Sequence, residues 1–156
     1  MTDEPQLRDL LQRGYRYALS LTHEPDEAED LVQDAALSIS RRGGPWTMPF
    51  LVTIIRNRFI DLYRRKKRVP FESLDEQTYD TYEDDTHPES VEHDQLEAIL
   101  GGLKPSEREI LYLSAVEEYT TTEIADMTGR PRGTVLSLLH RTKLKLRKRL
   151  SHETGF

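Results

Sequence analysis

No cysteine occurs among the 156 residues of the chain. This absence excludes disulfide frameworks, thiolate zinc sites and cysteine nucleophiles, and it fits a reducing cytosol. The sequence also lacks an apolar run close to the ~18–20 residues that a membrane helix needs. The N-terminal MTDEPQLRDL has no basic-then-apolar pattern of a signal peptide. We therefore expect a cytoplasmic protein without membrane insertion.

Lys and Arg are missing from one internal stretch. Residues 71–100 contain none of them and carry a net charge of −11, whereas residues 1–70 carry +2 and residues 101–156 carry +3. The overall charge of −6 therefore conceals two mildly basic units on either side of an acidic segment. Because basic units suit anionic partners, the partner of each unit is considered separately.

The spacing of apolar residues predicts three helices in the first unit. Pro25 interrupts the first helix, and Asp26 is a suitable cap for the second, which RRGGPW at 41–46 ends. The third helix is expected from near Pro49 to about Arg68. The apolar faces of the first and third helices are predicted to be Leu7, Leu10, Leu11, Ala18, Leu19 and Thr22, and Leu51, Ile54, Ile55, Phe59 and Leu62.

The second unit is also predicted to be helical. Residues 71–88 have no periodicity and read as an acidic flexible linker, and a short helix is expected over about 89–101. Ser106 with Glu109 and Thr120 with Glu123 fit the S/T-x-x-E capping box. They predict helices ending near Val116 and Gly129, before a long helix from about Val135 to Leu150. The fold class is therefore all-α, with a three-to-four-helix bundle followed by a second helical domain.

Residues 121–140, TTEIADMTGRPRGTVLSLLH, have the layout of a helix-turn-helix. Ala125 is small where two helices cross, Gly129 falls where the turn needs a positive φ, and Val135 returns the second helix to the core. An ordinary helical hairpin has the same spacing. The cation-rich continuation HRTKLKLRKRL at 140–150 favours contact with nucleic-acid phosphates.

A second basic segment, RNRFIDLYRRKKR at 56–68, contains Asp61 as its only acid. One interpretation is a solvated helix face on which Asp61 pairs with Arg64 or Arg65. Trp46, in a Gly-Gly-Pro loop, favours a different one; Phe50, Phe59 and Tyr63 add aromatic surface nearby, although Phe50 and Phe59 are expected in the core. Cations beside aromatic rings suit single-stranded nucleic acid, whose bases stack while its phosphates are neutralised.

Together these segments resemble an extracytoplasmic-function (group 4) sigma factor of bacterial RNA polymerase. DEAEDLVQDAAL (26–37) resembles the region 2 segment that docks on the polymerase core, and PFLVTIIRNRFIDLYRRKKR (49–68) resembles the segment that opens and reads the minus-ten element. Residues 103–150 resemble region 4, which reads the minus-thirty-five element. The resemblance implies region 2 over 1–70, the linker over 71–88 and region 4 over 89–156.

The resemblance also implies functional residues. The core-docking positions are Asp30, Leu31, Gln33 and Asp34, of which Leu31 also fits a core position. The minus-ten positions are Arg41, Trp46, Asn57, Asp61, Arg64, Arg65, Lys67 and Arg68, with Trp46 as one wall of a pocket for a flipped base. The minus-thirty-five positions are Arg130, Arg132, Thr134, Leu136, Ser137, His140, Arg141 and Lys143.

Three residues depart from the family pattern. Leu136 and Leu138 stand where the family often has a basic pair, and Thr128 stands where it usually has an aliphatic residue. We expect Leu138 to join the core and Leu136 to be exposed, where it contacts either a thymine methyl group or a protein.

The expected function is promoter recognition, strand opening and transcription initiation, with the β′ and β subunits of core polymerase, promoter DNA and an anti-sigma factor as partners. The chain is expected to be no enzyme and to need no cofactor or metal. One alternative is a sigma-like decoy that sequesters an anti-sigma factor, which Leu136 and Leu138 favour slightly. A metal-dependent nuclease is a further alternative, although the acids and histidines show no ligand spacing.

Overall fold

The computed structural model describes the backbone of residues 3–67 and 98–154 and the side chains of residues 3–66 and 98–151. The helices are α1 (Glu4–Thr22), α2 (Pro25–Arg42), α3 (Met48–Lys67), α4 (Pro105–Leu111), the π-helical turn Tyr112–Val116, α5 (Thr121–Thr128) and α6 (Arg132–Thr154). Residues 98–101 are helical as well. Every regular element in these ranges is a helix, which confirms the all-α prediction. The predicted linker and most of the predicted helix 89–101 lie outside the described residues.

The predicted cap of the second helix differs from the structure. The break before Pro25 is confirmed, since α1 ends at Thr22, and Pro25 itself is the first residue of α2, where proline is tolerated. The capping carboxylate belongs to Glu24, which accepts a hydrogen bond of 2.9 Å from the backbone N–H of Glu27. The prediction of Asp26 as the cap is therefore wrong, since Asp26 lies within the first turn.

The two predicted capping boxes have different outcomes. Thr120 Oγ1 accepts from the Glu123 amide at 3.1 Å, and the Glu123 carboxylate accepts from the Thr120 amide at 2.8 Å, which confirms the second box. The first is wrong, because α4 begins at Pro105 and the Glu107 carboxylate accepts from the Lys104 amide instead. Glu109 is thereby available for the interior.

One hydrophobic core extends through both predicted units. α1 packs against α2 and α3 on one side and against α4 on the other, while α3 also packs against α5. The large, fully buried residues of this core include Tyr17, Leu21, Ile39, Leu51 and Ile55 from the first unit and Ile110, Leu113 and Ile124 from the second. The units are therefore joined by burial of apolar surface as well as by the chain.

Some predicted apolar faces are shifted. α1 buries Leu10, Gly14, Tyr17, Ala18 and Leu21. The predicted Leu7, Leu11, Leu19 and Thr22 are only half-buried, because α4 covers a face that the helical period of the first unit alone did not indicate. The prediction that Leu62 is buried is wrong, since 51% of it is exposed beyond Phe59, the last buried residue of α3. No described helix is both long and apolar enough to cross a membrane.

Candidate nucleic-acid and polymerase-docking surfaces

The exposed face of α2 is acidic and polar. Asp30, Gln33 and Asp34 are exposed, whereas Leu31 is only 3% exposed and packs in the core. Leu31 therefore occupies the core position that the sequence left open for it. What α2 offers to a partner is a pair of carboxylates with an amide between them, a chemistry that suits a basic protein surface.

The exposed face of α3 brings polar and cationic side chains together. Asn57, Asp61, Arg64 and Arg65 are all exposed. Among the described side chains neither Arg64 nor Arg65 pairs with Asp61, whereas Arg58 and Lys66 of the same helix pair with Asp34 and Glu27 of α2. The side chain of Lys67 and residue Arg68 lie outside the described residues.

The loop after α2 places Trp46 beside α1. Trp46 is half-buried against the core, and Arg41 at the end of α2 is exposed. Trp46 and Thr47 line an open cleft of about 510 Å³, whose opposite wall is formed by α1 residues including Gln6, Asp9 and Arg13. The cleft combines an aromatic ring with polar groups, which is the chemistry that a base would need.

The first turns of α6 present an exposed surface. Its exposed predicted residues are Arg132, Thr134, Leu136, Ser137, His140, Arg141 and Lys143. Leu136 is 43% exposed and Leu138 only 5%, which confirms both expectations. The turn before α6 contains Gly129 at φ 70°, as predicted from its position. Buried Thr128 donates its hydroxyl hydrogen to the Ile124 carbonyl at 2.8 Å, so the polar group is satisfied.

Arg130 is the exception among the predicted contact residues of this unit. It is 7% exposed, and its Nη1 donates to Glu109 Oε1 at 3.0 Å. Glu109 is fully buried and also accepts from Arg56 Nε at 2.8 Å and from the Tyr17 hydroxyl. These four residues form the Glu109 cluster, in which Tyr17 and Arg56 come from the first unit and Glu109 and Arg130 from the second.

The cluster keeps Glu109 ionised. Burial alone would raise the pKa of Glu109, but the guanidinium groups of Arg56 and Arg130 and the Tyr17 hydroxyl together outweigh burial and hold that pKa below its usual range. Burial and the neighbouring carboxylate raise the pKa of Tyr17, so its hydroxyl remains a donor. The result is one buried carboxylate held between two cations.

The Glu109 cluster is the main feature that sequence reasoning missed. Its members lie 92, 53 and 21 positions from Glu109, so no local spacing connects them, and Glu109 also fitted a capping box. One indication was available in the sequence. Tyr17 falls on the same helical face as Leu10, Gly14 and Leu21, which marks it as a buried tyrosine whose hydroxyl needs a partner.

Two further polar contacts join the units. The guanidinium group of Arg108 donates to the Ser20 carbonyl at 2.7 Å and to the Leu21 carbonyl at 2.9 Å, at the C-terminal end of α1. Arg13 donates to Glu117, which also accepts from the Tyr112 hydroxyl at 2.7 Å. The orphan carbonyls at the end of one helix are thereby satisfied by a side chain of the other unit.

Comparison with known families decides what these surfaces belong to. Residues 7–69 match the family model for Sigma-70 region 2, and residues 93–146 match the model for Sigma-70 region 4. RNA polymerase sigma factor YlaC of Bacillus subtilis is 30% identical, over 97% of this chain and 95% of its own length. The chain belongs to the extracytoplasmic-function sigma factors of bacterial RNA polymerase. This family directs polymerase to promoters at the start of transcription.

Other members show the same relationship. ECF RNA polymerase sigma factor SigE of Mycolicibacterium smegmatis is 32% identical over 96% of this chain, which spans 62% of the length of that relative. Among solved structures, the sigma factor RpoE of Bartonella quintana, in complex with the anti-sigma factor NepR, has a TM-score of 0.72 and 25% identity. The match covers 95% of this sigma factor and 96% of that chain, so it includes both regions.

Proposed function

We propose that this sigma factor docks on the β′ subunit of core RNA polymerase through the exposed face of α2. Asp30, Gln33 and Asp34 supply the contacts, and Leu31 supports them from the core. Two exposed carboxylates on one helix face attract basic residues of a partner and speed its association. Region 4 makes a second contact, with the β subunit, so that the factor spans the enzyme.

Promoter DNA is the second partner in this proposal. Arg64 and Arg65 contact phosphates of the minus-ten element, while Asn57 and Asp61 face the same strand. The cleft beside Trp46 takes up an unstacked base, with Arg41 near the backbone of the strand. The sequence also assigns Lys67 and Arg68 to this surface, and both assignments remain predictions.

The start of α6 contacts the minus-thirty-five element in the major groove. Arg132, Thr134, Arg141 and Lys143 lie toward the phosphates, and Leu136, Ser137 and His140 face the base edges. The exposure of Leu136 suits contact with a thymine methyl group. No covalent chemistry is assigned to the protein, because the polymerase performs the synthesis.

One observation carries this proposal: each of two family-matched regions exposes its own set of cationic side chains. Reconstituted transcription tests it. The purified chain is mixed with core polymerase from the organism that encodes it and with fragmented genomic DNA, and start sites are mapped. Discrete new start sites are expected, and their complete absence contradicts the proposal.

Substitutions locate the two surfaces in the same assay. Asp34→Asn is expected to weaken binding to core polymerase, and Arg65→Ala is expected to reduce promoter opening without weakening that binding. Asp126→Asn, which removes an exposed carboxylate of α5, is the matched control and is expected to behave as the wild type does. Equal effects of Asp34→Asn and Asp126→Asn would contradict docking through α2.

Exposed Leu136 also suits a protein partner, which is the observation that favours the decoy alternative. We propose that an anti-sigma factor binds and regulates this chain; the similar sigma factor RpoE forms a complex with the anti-sigma factor NepR. A decoy would bind its anti-sigma factor without supporting any transcript, whereas a regulated sigma factor would support transcripts that the anti-sigma factor abolishes.

A further inference from the structure

One buried carboxylate holds a cation from each of the two segments that the proposed function assigns to DNA. Arg56 is the first cation of the basic segment in α3, and Arg130 lies two residues before α6. Both donate to Glu109, at 2.8 Å and 3.0 Å, and both are less than one-tenth exposed. In this arrangement neither guanidinium group can reach a phosphate.

We propose that the Glu109 cluster is an autoinhibitory latch, in which the Glu109 carboxylate occupies Arg56 and Arg130 in place of DNA phosphates. The latch holds the two regions together in the free protein and lowers its affinity for DNA. When the regions separate, Arg56 leaves Glu109 and becomes available to the nucleic acid, whereas Arg130 and Glu109 stay in the same region, where DNA phosphates can compete for Arg130. This inference rests on the DNA binding assigned under the proposed function.

The chemistry of the cluster supports this exchange. Carboxylates and phosphates are both anionic oxygen acceptors, and an arginine bonds either one through the same charge-assisted geometry. An arginine that leaves a buried carboxylate must find another anion or water, because an unpaired buried charge is strongly disfavoured. Opening in the presence of DNA therefore replaces Glu109 by a phosphate as the partner of Arg56.

The position of the cluster makes it a contact between regions. Tyr17 and Arg56 reach Glu109 from α1 and α3, whereas Arg130 reaches it from the turn before α6. The contacts of Arg108 with α1 and of Arg13 with Glu117 hold the same boundary closed. The boundary is thus an element with a packed and a separated state, and the charge of Glu109 favours the packed one.

Fluorescence resonance energy transfer measures the closed state directly. The chain has no cysteine, so labels placed at Ser40→Cys in α2 and Thr122→Cys in α5, both exposed positions, report the separation of the regions. Glu109→Gln keeps the shape of the side chain and removes its charge, and Tyr17→Phe removes one hydrogen-bond donor. Both variants are expected to lower the transfer efficiency, and Tyr15→Phe in the same helix is the matched control, expected to leave it unchanged.

Salt dependence of DNA binding then tests the exchange of partners. A short duplex of random sequence is the probe, because phosphate contacts need no promoter sequence. Each additional phosphate contact steepens the slope of log affinity against log salt by about 0.9, so Glu109→Gln is expected to steepen it by about 1 to 2 and to bind more tightly at about 50 mM salt. Tyr17→Phe is expected to steepen the slope and to raise the DNA affinity as well, but each to a smaller extent than Glu109→Gln does.

Three outcomes would overturn the latch. One is an unchanged transfer efficiency in both variants while circular dichroism shows wild-type helicity. Another is a lowered efficiency in Tyr17→Phe with no gain in DNA affinity or slope. The third is equal behaviour of Tyr17→Phe and Tyr15→Phe. Failure of the proposed function is separate, since it appears as an absence of start sites with the wild type, whatever the transfer efficiency shows.

Discussion

Arg13 in α1 donates two hydrogen bonds, from Nε at 3.0 Å and from Nη2 at 2.8 Å, to a single oxygen of Glu117, 104 positions away. Glu117 is well buried, with 7% of its side chain exposed, and Arg13 is partly exposed at 33%. Such a pair contributes more stability than a surface ion pair, because loss of Arg13 removes two hydrogen bonds and a countercharge from a buried carboxylate.

Arg13→Ala is therefore expected to lower the free energy of unfolding by about 1 to 2 kcal/mol, after allowance for solvent screening of the arginine. The control is Arg8→Ala in the same helix, which breaks the exposed pair with Glu4 and is expected to cost less than about 0.5 kcal/mol. Urea unfolding measures both. Equal costs would show that the Arg13 contact is no stronger than a surface pair.

Gly14 is required by the close approach of α1 and α3. A Cβ at this position would lie 2.6 Å from Leu51 Cδ2 and 3.3 Å from its Cγ, inside the core. Gly14→Ala is expected to lower the free energy of unfolding by about 1 to 3 kcal/mol, although alanine is the better helix former. At Gly133 an added Cβ would meet no atom within 4 Å, so Gly133→Ala is expected to raise the free energy of unfolding by about 0.5 to 1 kcal/mol. A stabilised Gly14→Ala variant would contradict the packing.

The closed arrangement is expected to depend on pH through two carboxylates. Burial opposes the ionisation of both Glu109 and Glu117. Arg56, Arg130 and Tyr17 nevertheless hold the pKa of Glu109 below the ordinary 4.5. Arg13, Tyr112 and Arg16 do the same for the pKa of Glu117. The packed state therefore binds fewer protons than the separated one. The stabilisation is fully present above pH 4.5 and is lost as the pH falls through the lowered values.

Energy transfer between the labels at positions 40 and 122 measures this dependence. The wild type is expected to lose transfer efficiency below about pH 4.5. Glu109→Gln is expected to have a lower transfer efficiency already at neutral pH, and this efficiency is expected to fall less on acidification than that of the wild type. The Asp126→Asn control is expected to follow the wild-type profile, and a Glu109→Gln profile that also follows it would contradict the role of Glu109.

Leu136 and Leu138 are expected to have opposite phenotypes although they are only two residues apart. Leu138 is buried, so Leu138→Ala is expected to lower the free energy of unfolding by about 2 to 5 kcal/mol. Leu136 is exposed, so Leu136→Ala is expected to change it by less than about 0.5 kcal/mol and to reduce promoter affinity instead. Unfolding and promoter-binding measurements on both variants check this contrast. A large loss of stability in Leu136→Ala would contradict its assignment to the DNA surface.

Prediction from sequence succeeded where the cause is local. The positive φ at Gly129 and the capping box of Thr120 with Glu123 follow from the residues at those positions. The contrast between Leu136 and Leu138 follows from the helical period. Prediction failed at Glu109, whose spacing from Ser106 matched a capping box, because the actual cap is Lys104, two residues earlier. The prediction that Leu62 is buried also failed, because the helical period of α3 does not show where the neighbouring helices end and stop covering it.

The sequence by itself determined the helical periods, the alternation of basic and acidic segments, and the order of the two motifs, because each depends on residues close together along the chain. Only the tertiary structure decided that the two regions share one core and that Arg56, Arg130 and Tyr17 meet at Glu109. Those contacts join residues up to 92 positions apart. They form because a buried carboxylate must find its donors wherever packing brings them, and no spacing along the chain specifies which donors those are.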